Sequence, residues 1–583
     1  MTPASASTPG LAAPIRRPAR LRGWLPEGLL VLSTTAVGVW LGGRWLDPAG
    51  DPGGWWTLLE RVGQGERVYR DVFLQYGPFS PYLLALLARP FHSSATCFLL
   101  LNWLPAILLG LLLLRAGRPY LNELERLGVV GLLLGLGIFA PGPAWLVLPY
   151  SPAAVHALIF SVIALLLLQR APGRPADPLI AGALGGLAFC CKQEIGVAIL
   201  VALALPVLMH PARARSWLLP AVAGFAGVAG LGLAAAFGSA SWDSLRFENH
   251  FWPIGVVPAS WKYLSGIATG LLIRGWPERL AGAAAAFVYD AVVVGLLGLL
   301  IARDPRVRRP VLLAVLGVIL IVGALDGVLL GRRGDPLCLS MLIAFTISVA
   351  SVFDRELPGR EFLAAFGAFA GLVAARTAFA CRVGWSSYSG VAGVSMAIGW
   401  ALFLFCVLPR ILPGGDSAAR WARRLWATIL LPVAAYSAWV GVESLRRFSA
   451  TAVSVDTPRG RVWTRAELGP LYGSLAKSLR PGEKALVLPE SRGVEALFRL
   501  RSASPYLYHL PGWLDSRAES LLIHRFERDP PEVVVLFNRS TWEFGVQPFG
   551  EGYGKRLAEW LARNYEVVAR GPAGIVLRAR PPG

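Results

Sequence analysis

The stretch Asp51-Pro52-Gly53-Gly54-Trp55-Trp56, continued by Arg67-Val68-Tyr69-Arg70-Asp71-Val72-Phe73-Leu74-Gln75-Tyr76-Gly77-Pro78, decides the architecture. It crowds carboxylates, aromatic rings and a turn signal between two apolar runs, the first ending near Trp45 and the second spanning Phe79 to Ala88. Trp and Tyr favour the boundary between hydrocarbon and water, and Tyr76-Gly77-Pro78 breaks the chain before the next run. The stretch therefore reads as a folded loop, residues 46–92, on the outer face of a membrane.

Composition supports the membrane. Apolar residues are 55% of 583, charged residues only 16%, and the mean hydropathy is +0.54. Runs such as Ile159 to Leu168 and Trp217 to Phe237 are long enough, alone or with their neighbours, to cross ~30 Å of hydrocarbon. A barrel would instead show short alternating segments, so the chain is mainly α and polytopic. The net charge of +20 sits largely in short loops between apolar runs. This is the positive-inside pattern and argues against a nucleic-acid partner. The six cysteines lie in or beside apolar segments without metal-ligand spacing, which excludes a disulfide framework and leaves no metal site or cofactor to expect.

Residues 1–22 read as a disordered basic cytoplasmic arm, and Arg16, Arg17, Arg20 and Arg22 mark the first span, Trp24 to Trp45, as an uncleaved anchor. Trp55 to Val62 suits a helix lying in the interface, and Pro81 to Ala88 a second surface or re-entrant helix. Spans follow at Cys97–Leu114, Leu127–Ala140 and Ser151–Leu168. Leu179 to Met209 would be roughly 45 Å as one helix, too long for a single crossing. Both its flanks are basic, so an even number of crossings is required. The segment must be a hairpin with Lys192-Gln193-Glu194 at its outer tip. Further spans at Trp217–Phe237, Leu280–Ala302, Val311–Leu330, Leu337–Val352, Phe362–Phe379, Val391–Leu408 and Leu425–Val442 bring the expected total to about 13 crossings. The transmembrane domain covers 23–443. From 444 to 583 polar residues return, with β-like runs at Ala485–Leu488, Val533–Phe537 and Val567–Leu577, predicting a small extracytoplasmic α/β domain.

Several residues could carry chemistry. Asp51 and Asp71 are two carboxylates on one aromatic-rich loop; the plain alternatives are a turn-forming Asp before Pro52 and a solvated acid paired with Arg70. Lys192 and Glu194 would cost roughly 2.5–3.5 kcal/mol each at mid-bilayer, so a hairpin tip suits them better. They either pair structurally or present a cation to a phosphate. Arg332 and Arg333 break the positive-inside pattern by lying outside, so either the topology slips there or they have a partner such as a lipid phosphate. Glu248 and His250 lie on the long outer loop, without spacing for a metal.

Asp51, Gly65-Glu66-Arg67-Val68-Tyr69-Arg70-Asp71 with Tyr76-Gly77-Pro78, and Gly185-Gly186 ahead of Lys192-Gln193-Glu194 together resemble the GT-C superfamily of polytopic membrane glycosyltransferases. The likeness is to bacterial relatives of the protein mannosyltransferases and the aminoarabinose lipid A transferase, and its motifs cover about the first 200 residues. It implies an inner-membrane enzyme with its C-terminal domain in the periplasm. A sugar would pass, with inversion, from a polyprenyl-phosphate donor to a lipid, glycan or protein acceptor. The implied base is Asp51 or Asp71. The family's first-loop acid is often followed by a second, whereas here Pro52 follows Asp51, so the choice stays open. Lys192, Arg332 and Arg333 would face the donor phosphate. Tyr69, Arg70, Gln75, Tyr76, Glu194, Glu248 and His250 would line the substrate site. The competing expectation is a transporter or lipid-sugar flippase, for which Asp290 and Asp326 are the intramembrane charges to consider.

Overall fold

The computed structural model describes residues 23–41, 44, 50–74, 76–91, 94–139, 146–147, 151–170, 174–211, 214–239, 335–380, 395, 397–411, 424, 431–511, 513–541 and 546–581. The expectations for residues 1–22, the spans 280–302 and 311–330, and Gln75, Glu248, His250, Asp290, Asp326, Arg332 and Arg333 lie outside this set.

Helix α1 (Leu25–Leu41) leads to α2 (Asp51–Gly63) and α3 (Phe79–Ala88), the two short helices of the first loop. Asp51 and Pro52 open α2, where a fixed proline φ and an acid near the positive helix end both favour initiation. Helix α4 (Ala95–Gly117) is capped by Ser94, whose side chain accepts from the Cys97 N–H. Helix α5 (Glu123–Leu133) starts earlier than hydropathy alone suggests. Asn122 and Glu125 form a reciprocal capping box, and Arg126 forms a buried ion pair of 2.6 Å with Glu27 of α1. Helix α6 (Pro152–Gln169) follows.

The long apolar segment does break. Helix α7 (Asp177–Cys191) stops at Lys192, whose backbone is extended (φ −149°, ψ 106°), and α8 (Gln193–Met209) resumes at once. Gly185 of α7 faces Ile199 of α8, and the two are equally distant from Lys192 along the chain, so the helices run antiparallel about that residue. Helices α9 (Leu219–Ser239), α10 (Asp335–Phe353) and α11 (Arg360–Ala380) and the apolar helix Ala397–Arg410 continue the described bundle, with α12 (Leu431–Thr451) packed on α5. Among the described residues, three helices are long and apolar enough to cross a membrane: Ala95–Gly117, Pro152–Gln169 and Arg215–Ala236. Shorter apolar helices surround them, and the chain is a mostly helical membrane protein.

Helix α12 ends at Thr451 and strand β1 (Ala452–Thr457) begins at the next residue, pairing with β2 (Gly460–Arg465). After α13 (Gly469–Ser478) come β3 (Lys484–Leu488), α14 (Val494–Phe498), β4 (Arg501–Ser502), α15 (Ser516–Arg528), β5 (Val533–Phe537), α16 (Lys555–Asn564), β6 (Tyr565–Gly571) and β7 (Gly574–Ala579). They form a five-stranded mixed sheet, β4-β3-β5-β7-β6, in which β3 runs parallel to β4 and β5. Strand alternation splits its residues between two cores. Val533, Val535 and Phe537 join a core continuous with the membrane helices, while Leu486, Leu488 and Val534 pack against Leu522, Phe526 and Leu557 of α15 and α16.

The sheet region is pinned to the first loop. Arg459, in the β1–β2 turn, pairs with Glu60 of α2, both largely buried. Ser491 donates to Thr57 Oγ1 at 2.7 Å, and the Phe73 N–H donates to the Pro505 carbonyl at 2.8 Å. Removing one partner of a buried pair strands the other charge, so Arg459→Ala should cost about 3–5 kcal/mol. Thermal unfolding of the purified protein checks this, and Glu60→Gln in the same chain should restore part of the loss.

His509 gives a second test. It is buried, with Nε2 2.8 Å from Ser504 Oγ. Burial, reinforced by the nearby Arg61 guanidinium, lowers its imidazole to about 3. The unfolded chain binds this proton below its ordinary value of 6.5 and the folded chain does not, so stability is present above that value and falls as pH drops toward 3. The slope should approach about 1.4 kcal/mol per pH unit between pH 6 and 4. His509→Gln should flatten denaturant-melt stability across that range.

Candidate active site

The first loop folds around tyrosines and one arginine. Tyr69 adopts a left-handed backbone (φ 71°), is fully buried, and donates its hydroxyl to the Tyr76 carbonyl. Burial pushes its phenol well above the ordinary value, which keeps the hydroxyl a neutral donor. Tyr82 of α3 lies 3.2 Å from the Val68 N–H, accepting its hydrogen bond. Arg61, near the end of α2, bonds to Glu66, to the Asp71 carbonyl and to the Ser504 carbonyl. One guanidinium thereby joins the helix, the loop and the sheet region.

The tip of this loop docks on the α7–α8 break. The Gly77 N–H donates to the Cys191 carbonyl at 3.1 Å. A Cβ on Gly77 would lie 1.9 Å from the Cys190 carbonyl oxygen, so no larger residue fits without moving backbone. Trp55 of α2 stacks on Tyr76 with ring centres 5.7 Å apart, and the Lys192 ammonium sits 4.2 Å from the centre of the same ring. Lys192 is 0% exposed and lies 3.8 Å from Glu194. The first loop and the hairpin tip, distant in sequence, thus meet at one rim.

Asp51, in the first turn of α2, precedes Trp55 by four positions, one helical turn, and so lies on the same side of the helix as the ring that stacks on Tyr76. Tyr508 of the sheet region approaches the same turn: a Cβ on Gly54 would lie 2.8 Å from its hydroxyl. Asp71 is placed differently. Its Oδ2 accepts from the Arg67 N–H at 2.9 Å, its Oδ1 is 3.8 Å from Arg70, and its side chain is 41% exposed. Its carbonyl is held by Arg61, which at 1.5 Å per residue is ~15 Å along α2 from Asp51. Asp51 opens α2, whereas Asp71 is tied through its carbonyl to Arg61 near the other end of that helix. Arg70 faces water with Asp71, away from the Tyr76 ring contacts.

Sequence reasoning missed Trp55, Arg61, Glu60, Tyr508 and Arg459 as parts of the site. Trp55 was legible as an interface anchor, but its stacking partner was not. Arg61 and Glu60 carried a signal, being adjacent charges in a helix otherwise suited to the interface. Tyr508 and Arg459 carried none, since their partners are hundreds of residues away. Among the described residues, no group of three or more His, Cys, Asp or Glu could hold a metal ion.

Gly77→Ala should destabilise the junction by about 1–3 kcal/mol or more, read as a lowered melting temperature. Ala at the nearby, open Gly63 should leave it unchanged, since nothing lies within 4 Å of a Cβ there.

No family model and no curated protein sequence matches the chain. Its coordinates superimpose on ArnT, the aminoarabinose lipid A transferase, from Cupriavidus metallidurans bound to undecaprenyl phosphate, with a TM-score of 0.51 at 15% identity. The match covers 97% of this chain and 100% of that one. The apo form of the same transferase gives a TM-score of 0.44, and the oligosaccharyltransferase of Archaeoglobus fulgidus gives 0.43, both at 15% identity. The chain therefore shares the fold of ArnT along nearly its whole length.

Proposed function

We propose that the protein is a glycosyltransferase that moves a sugar from a polyprenyl-phosphate donor to an acceptor at the outer membrane face, with Asp51 as base. What supports this reading is the meeting of Trp55, Tyr76 and Lys192 at one rim, with Asp51 one helical turn before Trp55, in a chain whose fold is similar to that of a transferase crystallised with undecaprenyl phosphate.

Asp51 would accept the proton of the acceptor hydroxyl as that oxygen attacks the anomeric carbon, and the bond to the lipid phosphate would break on the opposite side, inverting the centre. Asp71, whose carboxylate closes the Arg67–Asp71 turn, is assigned to loop folding. Tyr76 covers Lys192 in this structure. Donor entry that displaces the ring would bring the ammonium to the departing phosphate, where partial desolvation strengthens the contact. The rim is built by both the helices and the sheet region, which would hold donor and acceptor in line. The extracytoplasmic placement of residues 444–583 belongs to the same proposal.

Transfer of radiolabelled sugar from purified polyprenyl-phosphate donors tests it. Asp51→Asn should lower kcat by about 10²–10⁴-fold, the usual worth of a positioned base, whereas Asp71→Asn should retain activity within tenfold. Lys192→Met should lower kcat for transfer from the donor, with or without a rise in donor KM; unchanged kcat and KM would remove Lys192 from the transfer step. Full activity of Asp51→Asn would remove the proposed base, and absence of transfer by the wild-type chain would return the transporter reading.

A further inference from the structure

At the far end of the helical bundle from Asp51, the C-terminal ends of α4 and α6 enclose a cavity of about 220 Å³ lined by Arg115, Arg118, Pro119, Leu166, Gln169 and Arg170. Helix α4 starts beside the first loop and, at 23 residues, carries the chain ~34 Å away from it. The chain then returns from Arg170 through α7 to Cys191 at the rim, which fixes the cavity on the opposite side.

Three arginines line this small space. Among the described residues, none of them lies within ion-pair distance of a carboxylate. Asp177, the next acid after Arg170, accepts instead from the Arg174 N–H at 2.9 Å. Glu125 is taken up by the Asn122 capping box. Arg118 rests 5.1 Å from the Trp24 ring, and Gln169 donates to the Ala116 carbonyl at 2.9 Å, closing the gap between the two helix ends. Negative helix ends account for arginines at these positions singly. They do not account for a cavity that gathers three of them.

An apolar track leads to the same place. Leu100, Leu104 and Leu108 are exposed along α4 at intervals of four, one continuous ridge that runs toward exposed Arg115. A soluble anion has no use for that ridge, while a lipid does.

We propose that this cavity binds the phosphate headgroup of an anionic phospholipid, with Arg115, Arg118 and Arg170 around the phosphate and an acyl chain along the Leu100–Leu104–Leu108 ridge. Basic pockets between spanning helices are suited to such headgroups, and each arginine near the surface contributes an increment of affinity. The site is separate from the transfer chemistry and does not rest on it.

Native mass spectrometry and thermal unfolding of the full purified chain test it, with dioleoylphosphatidylglycerol, dioleoylphosphatidylcholine and inorganic phosphate added separately. Phosphatidylglycerol should be retained and raise the melting temperature, and the other two should not. Arg115→Gln, Arg118→Gln and Arg170→Gln should each weaken retention about fivefold, and the three together about a hundredfold. If the triple variant does not fold, exposed Arg170→Gln alone carries the test. Equal retention of both lipids, wild-type retention by the triple variant (or by Arg170→Gln where it stands in), or full stabilisation by inorganic phosphate would each overturn the assignment.

Discussion

A single backbone contact, the Gly77 N–H on the Cys191 carbonyl, organises the rim. It exists because α7 cannot continue: Lys192 turns extended, and the chain restarts as α8. A broken helix leaves backbone groups that an intact one would satisfy internally, and in a membrane such groups need protein partners. The first loop supplies one. Tyr76 then fills the space beside the break, with Trp55 stacked on its ring and the Lys192 ammonium close to it. A cation that would be expensive in hydrocarbon is accommodated by an aromatic ring and a neighbouring carboxylate.

The second constraint is Arg61. Its guanidinium reaches a side chain in the loop, a carbonyl in the loop and a carbonyl in the sheet region. With the Arg459–Glu60 pair and the Ser491–Thr57 bond, it makes α2 a floor shared by the helices and the sheet. The core that runs without interruption from the bundle into one face of the sheet follows from this arrangement. The helix that carries Asp51 is thereby fixed from both sides.

Much of this was legible in the residues. The hairpin at Lys192 followed from length and flanking charge, which are local quantities, and both short helices after the first span followed from interface aromatics. The strands β3 and β5 were visible as short apolar runs bounded by polar residues. Asp51 and Asp71 were not separable, because distance along a chain does not reveal that a helix stands between two acids. Nor could residue type show that Tyr69 turns inward, since its left-handed backbone is imposed by the Val72 pairing and the Tyr76 carbonyl. The contacts of Tyr508 and Arg459 depend on the sheet's placement over α2, which no local pattern encodes.

Helix α12 passes into β1 between Thr451 and Ala452 without an intervening linker. Such a join behaves as an axle rather than a hinge: swinging the sheet region away from the helices would mean unwinding helical turns as well as breaking the Arg459 and Arg61 contacts.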